Sequence, residues 1–107
     1  MKNIIETNFG RFYDDFIIGD IYKHPVSKTI TESDNNFFCL LTLNHHPIHI
    51  NNNFAKRTQH KNILVVGTYV FSLVVGIAVG DITGKAIAAL EYKNIRHDGP
   101  VFINDTI

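Results

Sequence analysis

The stretch ILVVGTYVFSLVVGIAVG, residues 63–80, constrains this chain more than any other. It is apolar nearly all round from Tyr69 to Val79, so a helix there must be wrapped on most sides. Valine and isoleucine make a strand a local alternative, but length favours a helix. Gly67 marks its start, and Asp81 and Gly84 its end. Thr68, Tyr69, Ser72 and three glycines interrupt the stretch, and it reaches only the lower end of a spanning length. The expectation is therefore a buried core helix over 67–80 and no membrane.

The rest of the chain must supply the wrapping. With 107 residues, 45% of them hydrophobic, the expectation is one domain over 1–107. Ten basic and ten acidic side chains cancel, and no basic stripe stands out, so nucleic acid is not an expected partner. A single cysteine excludes an internal disulfide; within FFCLL, Cys39 reads as buried and inert rather than as a nucleophile. The opening MKNIIETNFGRFYDDF has no apolar signal core, which points to the cytoplasm.

Thr31 is a good N-cap, with Glu32 and Asp34 in the first turn of a helix running through DNNFFCLLTL. Pro47 is expected to end that helix, leaving NHHPIH as an exit into an extended turn. A short helix is expected at 52–58, a strand at 85–96 and turns at HDGP and Asn104–Asp105. KTIT and the final Thr106 and Ile107 read as short β segments.

Three histidines within NHHPIH raise the question of a metal. A metal needs three or four converging ligands, whereas His45 and His46 are adjacent, no cysteine is near, and Glu32 and Asp34 lie about three helical turns away. No metal site is expected. His24, His60 and His97 fall in predicted loops and are given no role.

The blocks GRFYDDFIIGD, TITESDNNFFCLLTLNHHPIHINNNFA, VVGTYVFSLVVGIAVGD and PVFINDTI resemble, in order, the MaoC-like dehydratase family, which includes the (R)-specific enoyl-CoA hydratases. The resemblance implies an α+β hot-dog fold: a central helix wrapped by antiparallel sheet, with the site near a dimer interface. The family loop Gly-Asp-x-Asn-Pro-x-His puts its Gly on Leu43, its Asp on Asn44 and its Asn on His46; Pro47 and His49 match. An Asp that often follows falls on Asn51, and a His that often precedes the helix glycine falls on Val66.

The implied chemistry is addition of water to an enoyl thioester, which needs a base for water and an acid for the α-carbon. The resemblance therefore implies His49 and Asn44 as catalytic positions, although an amide is neither acid nor base near neutral pH. It implies Gly67 at the oxyanion, with Tyr69 and Ser72 near the substrate. Lys56, Arg57 and Lys61 can reach coenzyme A phosphates or serve as ordinary surface charge. No cofactor is implied beyond coenzyme A within the acyl-CoA substrate. Family members continue past NDTI into further strands, so the fold is expected to be C-terminally incomplete, with a homodimer or a partner chain supplying what is missing. The leading expectation is a hydro-lyase of the enoyl-CoA hydratase type. The alternative is a catalytically impaired acyl-thioester-binding or structural fragment of a split hot-dog protein; a small metal-binding protein rests on HHPIH alone.

Overall fold

The structure is a computed structural model that describes residues 2–107; Met1 of the expected domain lies outside the described residues. In chain order it has a 3-10 turn at Tyr13–Asp15, then helices α1 (Glu32–Thr42), α2 (Pro47–Ile50), α3 (Asn52–Ala55) and α4 (Gly67–Ile77), and a π-helical turn at Val79–Thr83.

α1 begins for the reason its sequence suggests. The Asp34 N–H donates to Thr31 Oγ1 at 3.1 Å, and the Thr31 N–H donates to Asp34 Oδ2 at 2.9 Å, a reciprocal capping box. Its end differs from expectation. Leu43 takes a left-handed conformation (φ 61°) and closes α1 four residues before the proline. Pro47 then opens α2, in a first-turn position where a missing N–H costs nothing. The expected extended exit is thus a second short helix. His46 caps it, its Nδ1 accepting from the Ile48 N–H at 3.1 Å. Asn51 caps α3 through Oδ1 to the Phe54 N–H at 3.0 Å, and α3 is shorter than the expected 52–58.

The β component is slight. Among the described residues the pairing consists of two isolated antiparallel bridges, Thr29–Thr106 and Leu64–Phe102. The final segment nevertheless ties the chain together. Lys28 and Ile107 exchange both backbone hydrogen bonds at 2.9 Å, and the Val65 N–H donates to the Val101 carbonyl at 2.9 Å. Asn104, at φ 77°, turns this segment back where the sequence expects a turn. The strand expected over 85–96 does not form, and those residues are exposed throughout. A strand needs a neighbouring edge, and the segments at 28–30 and 64–65 already pair with the C-terminal residues.

Ile30, Cys39, Ala55, Ile63, Val65 and Val66 form the buried core, with Asn35 as its one polar member among the described residues. This core lies beside the start of α4 rather than around it. α4 itself has no buried residue, which corrects the expectation of a helix wrapped on most sides. Phe38 of α1 covers one side through Tyr69, with ring centroids 5.3 Å apart, and Tyr92 meets Phe71 at 5.0 Å. Among the described residues no continuous sheet covers it, and the 86–92 segment only flanks Val74, Val75 and Ala78 across an open cavity. The Cα radius of gyration is 17.7 Å, whereas a compact chain of this length has about 13 Å. No helix among the described residues is long and apolar enough to cross a membrane.

Candidate active site

The three histidines of NHHPIH take three different positions. His45 is exposed and His46 is the α2 cap. His49, half-buried, places Nδ1 2.7 Å from the Leu64 carbonyl oxygen. A carbonyl only accepts, so Nδ1 carries the proton. In the neutral ring the lone pair is therefore on Nε2, as a general base requires.

The backbone of this turn is held by a residue that sequence reasoning overlooked. Asn35, 1% exposed, donates from Nδ2 to the His49 carbonyl at 2.9 Å. Its Oδ1 accepts from the Val66 N–H, the residue capping α4, at 3.1 Å. One buried amide thus ties the His49 turn to the start of α4. An asparagine inside a helical pattern carries no signal of this, because both partners are distant in sequence.

His49, Leu64, Val65, Gly67, Val70 and Val101 line a cavity of about 190 Å³, together with His97, Gly99 and Pro100. The structure therefore brings His49 and Gly67 together. The first N–H groups of α4 have no intrahelical partner, so the helix start at Gly67 offers donors to developing negative charge. A Cβ at Gly67 would stand 2.9 Å from Cε1 and Nε2 of His97, whose ring takes the space a side chain would fill. His97, given no role on sequence grounds, is thus part of the same cavity.

The other expected site residues lie elsewhere. Asn44 sits in the turn between α1 and α2, where its Oδ1 accepts from the His46 N–H at 3.4 Å; it does not line the cavity. Tyr69 and Ser72 line an open groove with Val26, Lys28, Phe38 and Gly76. Helical periodicity explains this: 67 and 70 share one side of α4, while 69, 72 and 76 share the opposite side. Tyr69 and Ser72 therefore lie on a different side of α4 from the His49 cavity. Burial, then the charge of Asp34, pushes the Tyr69 phenol up. Burial also raises the Cys39 thiol, which keeps it protonated and a poor nucleophile. Among the described residues, no group of three or more His, Cys, Asp or Glu side chains is arranged to hold a metal.

The profile of the family described as "MaoC like domain" matches residues 15–107. The chain belongs to the MaoC-like family. It is 31% identical over 103 residues to mesaconyl-CoA hydratase of Cereibacter sphaeroides, covering 96% of this chain and 30% of that protein. It is also 31% identical over 102 residues to β-methylmalyl-CoA dehydratase of Chloroflexus aurantiacus, covering 95% of this chain and 29% of that one. The chain thus spans about a third of the length of these curated relatives. Among solved structures it is similar to the monoamine oxidase regulatory protein from Archaeoglobus, at TM-score 0.79 and 30% identity, covering 96% of this chain and 69% of that one. The structural neighbours are MaoC-like hot-dog proteins, so this MaoC-like chain has their backbone course although its sheet is reduced to bridges.

Proposed function

We propose that this MaoC-like chain forms the hydratase half-site of an enzyme that adds water to, or removes it from, an acyl-CoA thioester. The observation carrying the reading is His49, its tautomer set by the Leu64 carbonyl, in one cavity with the start of α4 at Gly67. His49 Nε2 takes a proton from water as the oxygen adds to the β-carbon. The π pair moves toward the thioester, whose oxygen gains charge next to the free N–H groups at the start of α4. The names of the two curated relatives, a hydratase and a dehydratase of CoA esters, support the same chemistry.

A volume of about 190 Å³ is below the roughly 300–1,000 Å³ usual for a whole ligand. It suits the short enoyl end of the substrate, with coenzyme A lying outside. No resident cofactor is needed for these steps. The apolar side chains left uncovered on α4 and on 85–96, with Val74 half exposed and Ile87 and Leu90 fully so, support a second copy or a partner chain completing the fold. One observation favours a binding or structural role instead: Asn44 brings no carboxylate to the cavity.

The test is loss of enoyl-thioester absorbance with crotonyl-CoA and mesaconyl-CoA. His49→Ala is expected to lower the rate about 10²–10⁴-fold, and His45→Ala to leave it near the parent value. Absence of turnover in the folded parent would favour the binding role.

A further inference from the structure

We infer that His97 is the second proton-transfer group of the cavity, acting as the acid opposite His49 as base; this rests on the hydratase reading above. Hydration needs two proton-transfer groups, and the cavity contains no carboxylate. Its two titratable lining side chains are His49 and His97.

Position assigns the roles. His49 is half-buried, with Nδ1 committed to the Leu64 carbonyl. The His97 ring lies against Gly67, within 2.9 Å of where a Cβ would stand. A thioester oxygen held at the start of α4 puts its α-carbon two bonds from that oxygen, beside the same ring. His97 is also exposed, so it can regain a proton from solvent after each turnover.

The step balances without any further reactant. His49 Nε2 takes one proton of water as the O–Cβ bond forms. The π pair moves to Cα, and protonated His97 gives Cα its proton. The cycle ends with His49 protonated and His97 neutral, and exchange with solvent restores both. Other charged groups near the pair are few. Arg96 and Asp98 flank His97 and pair with each other at 3.0 Å, and the His46 ring lies 6.1 Å from that of His49.

The test combines kinetics and ring NMR on the full chain as parent, His97→Gln and His49→Gln. His97→Gln is expected to reduce kcat/KM about 10²-fold and to abolish the fall in kcat/KM at alkaline pH, because that fall reports loss of the acid's proton. A merely structural role would scale the profile without changing its shape. Independently of turnover, His49→Gln is expected to move the NMR resonances of the His97 ring, since both rings line the same small cavity. A His97→Gln enzyme within twofold of the parent and keeping its alkaline limb would overturn the assignment. So would His97 ring resonances unmoved by His49→Gln. Failure of the parent to turn over either thioester would instead refute the hydratase reading, and the NMR arm would still decide whether the two rings form a pair.

Discussion

Replacing Asn35 by Ala should loosen the site and destabilise the fold through one identifiable linkage. The side chain is 1% exposed and serves two backbone groups, the His49 carbonyl at 2.9 Å and the Val66 N–H at 3.1 Å. Truncation leaves both without a partner in the interior, at about 1–3 kcal/mol each. Relaxation of the short α2 turn would let water reach one of them, so the expected loss is about 2–4 kcal/mol. Against a typical margin of about 5–15 kcal/mol the protein remains folded. The effect is therefore measurable as a lower urea midpoint with unchanged slope.

Asn35→Asp separates the linkage from simple packing. A neutral carboxyl can still donate to the His49 carbonyl, but an ionised one cannot. Burial and that bond raise the folded pKa of the new acid, so folding is favoured at low pH and the benefit is lost as pH rises through the raised value. Asn35→Asp should therefore approach parental stability in acid relative to Asn35→Ala and fall away toward neutrality. Equal losses for the two variants at every pH, or losses under about 0.5 kcal/mol for both, would refute the linkage.

Leu43→Gly should stabilise the chain by about 0.5–1 kcal/mol, since φ 61° penalises a side chain and Leu43 is largely exposed; thermal melts check this. The Lys28 Nζ contact at 2.7 Å, followed by the Thr31 capping bonds, lowers the Asp34 carboxyl to about 2. A depressed acid stabilises above its unfolded value, so that contribution should disappear as pH falls from about 4 toward about 2. Urea titrations across this range should show it, and Asp34→Asn should flatten it. Leu90→Glu with Ile87→Glu should reduce self-association in light scattering while leaving the far-ultraviolet spectrum unchanged, because both side chains are exposed in the single chain.

Local signals in this sequence were reliable where neighbours along the chain provide the physics. Thr31 with Asp34 three residues on makes a capping box from adjacent atoms, and Asn104 turns the chain with its own backbone. Gly67 begins α4, and His49 stands at a fixed distance from Pro47. Proline can both end and begin a helix, and the left-handed Leu43 upstream decides that Pro47 begins one.

What depended on distant partners was not legible in the same way. The strand at 85–96 had suitable residues but no free edge to pair with, and α4 had apolar residues all round but no layer to cover them. Residue types and spacing thus determined where α1 and α4 start and that the chain turns at Asn104. Only the tertiary structure decided that Asn35 ties the His49 turn to α4, that His97 crosses the chain to Gly67, and that Tyr69 and Ser72 face away from them. Capping and turn geometry are set within a few residues, whereas burial and site assembly are set by which segments meet.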